Sequence, residues 1–402
     1  MAVEVSLGPT DGVRLALDTV DQAFGDIPGE EDFAREGKVM PNDRTLVAFD
    51  GQYAVGAAAS YPFELTIPGG QRPAAGVTWV GVLPSHRRRG VLTAMMRAQI
   101  DDVYERGEPL AILWASEAGI YGRFGYGIAA PCLALSAERA RFRLRDDPGS
   151  SGAVRLVDRD EAARLFPPIY EEVRATTAGM LSRTKSWWTE HRLADPESLR
   201  RGGGPKFYAV VELDGSPAAY VIYRIKQNWE EGIPRSEVRI VEAFATSPAA
   251  TRELWRFLFG IDLIAKVEMF AFDAGSPLFL MVTDGRSLQL KVVDGLWLRL
   301  VDLEAALEAR SYADGEPVVL SVRDQFCPWN KGRYRVGDEV GRTRQSADLE
   351  LDVADLASVY LGGFDFHQLA EADRVHELRP GGLERASALF RTPRPPYCPE
   401  VF

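Results

Sequence analysis

Cysteine is scarce in this sequence: Cys132, Cys327 and Cys398 are the only three, they are far apart, and none belongs to a CxxC pair or a Cys/His metal spacing. That excludes a disulfide framework or a zinc site as the organising device and leaves buried thiols, with no metal expected. Cys398 stands one residue too early for a prenylation box. The four histidines, His86, His191, His367 and His376, are scattered and read as structural or surface groups. No run approaches the ~18 apolar residues of a membrane helix, so no bilayer span is expected. The start, Met1 to Ser6, lacks the basic and apolar regions of an export signal, so a cytoplasmic protein is expected. Basic residues are outnumbered, 47 to 58, for a net charge of −11. That excess argues against nucleic acid or an anionic membrane as partner and suits a cationic substrate as well as it suits plain solubility.

At 402 residues the chain exceeds the ~250 to 300 at which a single core stops growing, so two or three domains are expected. The polar Pro/Gly/Ser stretch Arg145 to Gly152 has a linker's composition and marks a boundary near residue 150. A second boundary is placed near 285, between Asp273–Pro277 and Thr283–Arg286, with the strand-like run Leu278 to Val282 between them. The expected domains are therefore 1–150, 151–285 and 286–402.

One plan is used twice. Thr45 to Gly51 followed by Tyr53 onward reads as a hairpin with an Asp-Gly turn, as does Tyr208 to Gly215 followed by Pro217. Gly51 and Gly215 stand 164 residues apart, and so do Pro84 and Pro248, each preceding a helix pattern. On that alignment Arg87 to Gly90 falls opposite Thr251 to Leu254, which has lost the glycine and gained Glu253; the second copy is read as structural.

The chemistry is concentrated between Val77 and Thr93. Val77 to Leu83 is β-rich, Pro84 to Gly90 is a basic loop ending in glycine, and Val91 opens a helix with Val91, Leu92, Met95, Met96 and Ile100 at helical spacing. A strand, loop and helix so arranged aims unpaired N–H groups and the positive end of a helix at one point, where a pyrophosphate binds. Arg88 and Arg89 add charge, and Gly90 permits close approach of backbone. Val80-Gly-Val82 followed by Arg87-Arg-Arg-Gly90-Val-Leu92 resembles the coenzyme signature of the GNAT acetyltransferases, with Leu92 where many members have a small residue. The resemblance implies acetyl-CoA as co-substrate. It places the pantetheine arm on Val80, Gly81 and Val82, the pyrophosphate on Arg88, Arg89, Gly90, Val91, Leu92 and Thr93, and Ser116 and Glu117 beside the cofactor, after the strand Leu110 to Ala115. Ile120-Tyr-Gly-Arg-Phe-Gly-Tyr126 resembles the family's tyrosine element. A phenol of reference pKa ~10 is a sensible acid toward a departing thiolate. Tyr121 occupies the family's position, while Tyr126 competes on spacing alone.

Over its whole length the chain resembles the enhanced intracellular survival (Eis) acetyltransferases, on Pro84 to Gly90, Ser116 to Gly127, the degenerate second copy and an end on Phe402. The resemblance implies a mixed α/β (α+β) protein of tandem GNAT folds, the second degenerate, followed by a sterol-carrier-protein-like domain with a structural role. It also implies that the carboxylate of Phe402 acts as base and Tyr121 as acid, that amines of polycationic small molecules such as aminoglycosides are acetylated, and that the protein is a homohexamer. Asp21, Asp26, Phe33 and Glu400 are the expected substrate contacts. Protein lysines or polyamines are alternative acceptors, and a non-catalytic coenzyme- or lipid-binding protein is the rival reading.

Overall fold

A computed structural model describes residues 3–145 and 152–402; of the expected linker, 146–151 lie outside the described residues. The first segment runs β1 (Glu4–Leu7), α1 (Gly12–Phe24), α2 (Glu30–Glu36), β2 (Thr45–Asp50), β3 (Tyr53–Ile67), β4 (Gly70–Val82), α3 (Val91–Glu105) and β5 (Leu110–Trp114). The middle runs β6 (Gly127–Glu138), β7 (Ala153–Val157), α4 (Arg159–Arg174), α5 (Lys185–Trp187), β8 (Lys206–Leu213), β9 (Ser216–Lys226), β10 (Trp229–Glu230), β11 (Ile233–Pro234), β12 (Ser236–Ala245), α6 (Pro248–Gly260), β13 (Ile264–Phe272) and α7 (Leu278–Met281). The last runs β14 (Lys291–Leu300), α8 (Leu303–Ala309), β15 (Val318–Arg323), β16 (Gly332–Val336), β17 (Gly341–Arg342), β18 (Leu349–Asp352), α9 (Val353–Tyr360), α10 (Phe366–Glu371), β19 (Val375–Glu377) and α11 (Gly382–Phe390).

Two compact units result. One comprises Met1–Ala130, Gly295–Pro395 and Glu400–Phe402, the other Pro131–Asp294 and Pro396–Pro399. In the first unit β1, β2, β3 and β4 pair in antiparallel order, β4 pairs β5 in parallel, and β14 lies antiparallel on β5. Helix α3 buries Val91, Met95, Met96, Gln99, Ile100 and Val103 against this sheet. Their 3.6-residue period puts them on one face, and each large apolar side chain so buried contributes about 1.5–3 kcal/mol. The same unit holds a second sheet in which β15 pairs β16 antiparallel and β18 parallel. Among its buried groups is Arg310, which has carbonyls for partners: Nε donates to Tyr360 O (2.8 Å), Nη1 to Ser311 O (2.8 Å) and Nη2 to Phe390 O (2.6 Å).

In the second unit β7, β8, β9 and β12 form an antiparallel run, β12 pairs β13 in parallel and β13 pairs β6 antiparallel. The β8–β9 turn has Asp214 and Gly215 both at positive φ (50° and 77°), the geometry that joins antiparallel strands through an Asp-Gly pair. The plan of the first segment is thus repeated, but the repeat is less regular than a constant offset implies. Pro248 opens α6, whereas Pro84 opens a 3₁₀ turn and α3 begins only at Val91. Thr251 to Leu254 therefore lie within a helix and are not the counterpart of the Arg87 to Gly90 loop. The strand expected over Leu278 to Val282 is the short helix α7, begun by Pro277, which fixes the helical φ.

Candidate active site

Strands β4 and β5 pair over three residues only, Ala74 with Leu110, Ala75 with Ala111 and Gly76 with Ile112. Beyond Gly76 they diverge, so the β5-facing backbone of Val77 to Val82 is left out of that ladder. A bulge sharpens the divergence. Ala57 pairs with Gly81 and Ala59 with Thr78, so Ala58 faces both Trp79 and Val80, and Trp79 takes a φ of 54°. A left-handed conformation costs a non-glycine residue about 1–2 kcal/mol. Gly81 has no room for a side chain, because a Cβ there would lie 2.9 Å from Val20 Cγ2 of α1. Helix α1 thus packs directly on the backbone of this strand.

After the strand, Arg88 (φ 60°) and Gly90 (φ 85°) both take left-handed conformations, and Gly90 is the N-cap of α3. Glycine supplies no capping side chain, so the N–H groups of the first turn, Val91 to Thr93, keep their capacity for a ligand. A cleft of about 490 Å³ opens there. It is lined by Val80, Gly81, Val82, Arg88, Gly90, Val91, Leu92, Thr93, Ser116, Glu117 and Tyr121 among the expected residues. Arg89 is turned away: its Nη2 is 3.3 Å from Asp50 Oδ2, which also meets His86 Nε2 at 3.2 Å. Arg87 and Arg123 line the cleft as well and were not singled out by spacing, although both stand inside the motifs that were quoted.

Tyr121 begins a 3₁₀ turn (Tyr121–Phe124) and is 5% exposed. Burial, reinforced by Glu117, pushes its phenol up to about 12. It packs with Ala75, Val77, Met96 and Leu113, the α3 side of the sheet, and Tyr126 stands edge-on to it with ring centroids 6.0 Å apart. Tyr126 is wholly buried, and its hydroxyl has no hydrogen-bond partner among the described residues.

The ring of Phe402 packs over Gly76, the last β4 residue to pair with β5. A Cβ on Gly76 would lie 2.4 Å from Phe63 Cδ2 and 3.3 Å from Phe402 Cε2, so the glycine makes space for both rings. Phe402 lies 5.2 Å from Phe63 and 6.4 Å from Tyr61, centroid to centroid. Side chains alternate across a strand. Gly76 therefore faces Phe402 on one side of the sheet while Ala75 and Val77 face Tyr121's cluster on the other.

Of the expected substrate contacts, Glu400 is wholly buried, Asp26 is exposed and Asp21 is half-buried on α1. Burial, with Asp26, Asp32, Asp18 and Glu36 nearby, pushes Asp21 up to about 6. Glu36, which sequence reasoning missed, accepts a hydrogen bond from Tyr61 Oη (2.8 Å) and so places an acidic group next to the aromatic seat of Phe402. Phe33 sits beneath the Arg14 guanidinium (4.1 Å) and lines a separate shallow hollow with Val13, Glu30 and Asn42.

In the repeat these features are filled in. The paired part of β12 and β13 ends at Ile240 and Met269. Past it, Phe244 packs with Tyr170, Tyr220 and Tyr397, and Tyr397 Oη donates to Ala271 O at 2.8 Å. The Arg183–Glu242 ion pair (2.6 Å) is fully buried beside them. Helix α6 is capped by Ser247, whose Oγ accepts from Ala250 N at 3.2 Å, so its terminus serves itself. No helix among the described residues is long and apolar enough to cross a membrane.

Comparison with known proteins agrees with this geometry. Residues 5–129 and 179–300 each match a model of the acetyltransferase (GNAT) domain, and 303–399 match the sterol carrier protein domain. An uncharacterized N-acetyltransferase of Streptomyces avermitilis is 40% identical over the whole of both chains. N-acetyltransferase Eis of Mycobacterium tuberculosis is 36% identical over 93% of each. The crystal structure of Eis1 from Mycobacterium abscessus superposes over 100% of both chains with a TM-score of 0.84 at 35% identity. The GNAT fold implies use of acetyl-CoA, and the splayed strand, bare glycine cradle and uncapped helix fit that group. The chain belongs to the Eis family of N-acetyltransferases in the GNAT superfamily, an acetyltransferase with two GNAT domains and a sterol-carrier-like C-terminal domain.

Proposed function

We propose that this enzyme acetylates amines of polycationic small molecules such as aminoglycosides, at the fork between β4 and β5, with Tyr121 as acid and the carboxylate of Phe402 as base. The observation that carries it is the seat of Phe402 on Gly76, the last β4 residue to pair with β5. Acid and base then approach the fork from opposite faces of the sheet. Acetyl-CoA supplies the activated acetyl group and a thiol leaving group. Val80, Gly81 and Val82 present strand backbone to its pantetheine arm. Arg88, the N–H groups of Val91 to Thr93 and the positive end of α3 hold its pyrophosphate, with Arg89 held nearby on Asp50 and Ser116 and Glu117 on the opposite wall.

An ammonium must lose a proton before it can attack, and a carboxylate at the fork accepts it. Tyr121, held protonated by burial, donates toward the departing sulfur. The carboxylates of Asp21 and Asp26 favour a substrate bearing several positive charges, while Glu36 and Glu400 are buried and add to the local field without direct contact. Phe33, which lies away from the cleft, would contact only the outer part of a long acceptor. The homohexamer implied by family resemblance belongs to the same reading, and light scattering tests it.

Free thiol released from acetyl-CoA, measured with an aminoglycoside, a polyamine and a lysine peptide, decides the acceptor. Release with the aminoglycoside supports the proposal. Release with the peptide alone replaces it by a protein-lysine acetyltransferase.

A further inference from the structure

Gly125 and Gly127 flank Tyr126 at the end of the Tyr121 turn, and atoms from the last third of the chain occupy the space their side chains would need. A Cβ on Gly125 would lie 2.1 Å from Arg299 Nη1 and 3.0 Å from Val353 Cγ1. One on Gly127 would lie 1.9 Å from the carbonyl oxygen of Ala354 and 2.6 Å from Ser358 Oγ. The motif's two glycines therefore exist so that β14 and α9 can press against the turn from behind.

Arg299 makes the directional contact. It is completely buried, its Nη1 donates to Gly125 O at 3.4 Å, and its Nη2 pairs with Asp324. Asp324 is itself fixed. Its Oδ1 accepts from the N–H groups of Phe326 (3.1 Å) and Cys327 (2.8 Å), and its Oδ2 accepts from Asn330 Nδ2 (3.0 Å). Asn330 in turn accepts from Leu303 N at 3.0 Å. On the other side of the contact, Gly125 N donates to Gly122 O (3.0 Å) and Tyr126 N to Tyr121 O (3.3 Å). A rigid set of hydrogen bonds thus runs from the sterol-carrier-like segment through one guanidinium into the turn whose first residue is Tyr121. A buried ion pair is poor evidence of added stability, since apolar side chains often serve as well. The fork of an arginine aimed at one carbonyl adds direction, which apolar packing does not.

We propose that Arg299 is a positioning residue for acetyl transfer: through Gly125 it sets the place of the Tyr121 hydroxyl, which makes the sterol-carrier-like segment part of the catalytic apparatus. The proposal rests on Tyr121 being the acid. A displacement of about 1 Å at a reacting group can cost about 10²-fold in rate.

The test is a double-mutant cycle on the full chain, with turnover read by thiol release and coenzyme affinity by calorimetry with CoA. Arg299→Lys retains the charge facing Asp324 but lacks the second nitrogen that reaches Gly125, and so tests direction without leaving Asp324 unpaired. It is expected to lower kcat about 10²-fold with CoA affinity unchanged, and to add nothing in a Tyr121→Phe background. Losses that multiply in the double variant, a loss confined to CoA affinity, or wild-type kcat in Arg299→Lys would each overturn it. Should Tyr121→Phe keep full turnover, the acid assignment falls and this proposal with it; a damaged Tyr121→Phe beside an unaffected Arg299→Lys removes this proposal alone.

Discussion

Gly76→Ala perturbs the seat of Phe402 through the ring of Phe63. The strand backbone there accepts any residue, so the perturbation is the added methyl alone. That methyl would lie 2.4 Å and 2.5 Å from two atoms of the Phe63 ring and 3.3 Å from Phe402. Carbon atoms in contact rest at ~3.5–4.0 Å, so Phe63 must withdraw by about 1 Å. Phe63 is 6% exposed and packs against both Tyr61 (5.7 Å) and Phe402 (5.2 Å); Tyr61 is tied through its hydroxyl to Glu36, which leaves the terminal ring as the neighbour best able to yield. Overpacking of this kind costs about 1–3 kcal/mol of stability. If the terminal carboxylate is the base, a shift of about 1 Å also lowers kcat about 10²-fold. The cleft-lining residues Val80 to Val82 and Gly90 to Thr93 lie beyond the fork, so CoA affinity should be untouched. Denaturant unfolding, calorimetry with CoA and thiol release separate the three effects. Wild-type kcat together with the expected loss of stability would show that the ring's seat is packing alone and would refute the argument.

One residue appended after Phe402 should abolish most turnover while leaving CoA binding intact, because it moves the carboxylate and not the ring; an active extended enzyme excludes that carboxylate as base. Asp21 is uncharged below its raised pKa of about 6 and ionised above it. The KM for a polycationic amine should therefore fall as pH rises from 5 to 7, and Asp21→Asn should flatten that step, which steady-state profiles at constant ionic strength would show. Arg310→Met should strand the buried carbonyls of Tyr360 and Phe390 and destabilise the first unit by about 2 kcal/mol or more, at about 1–3 kcal/mol for each buried group left unpaired. Hydrogen exchange localised to α9 and α11 would report it, and unchanged protection there would count against the assignment.

The sequence by itself determined what depends on neighbouring residues. Val80 to Thr93 spelled out a strand, a glycine-ended basic loop and a helix, because a helix terminus and its approach are set within about ten residues. The Asp-Gly hairpin of the second copy and the tyrosine turn were legible for the same reason, whereas the first hairpin turns one residue later than expected, on Gly51-Gln52, with Asp50 paired to Tyr53. The landmark alignment of Pro84 with Pro248 went astray because a proline opens a 3₁₀ turn as readily as a helix, and Leu278 to Val282 became helix because so short an apolar run does not fix its own period. Only the tertiary structure decided where Gly76, Glu36 and Arg299 matter. Each acts on a partner remote in the chain, Phe402, Tyr61 and Gly125 respectively, and no local pattern encodes such a pairing. It likewise turned Arg89 to Asp50 and brought Arg87 and Arg123 to the cleft. A loop's composition fixes how much charge it carries, while the direction of each side chain is set by what packs around it.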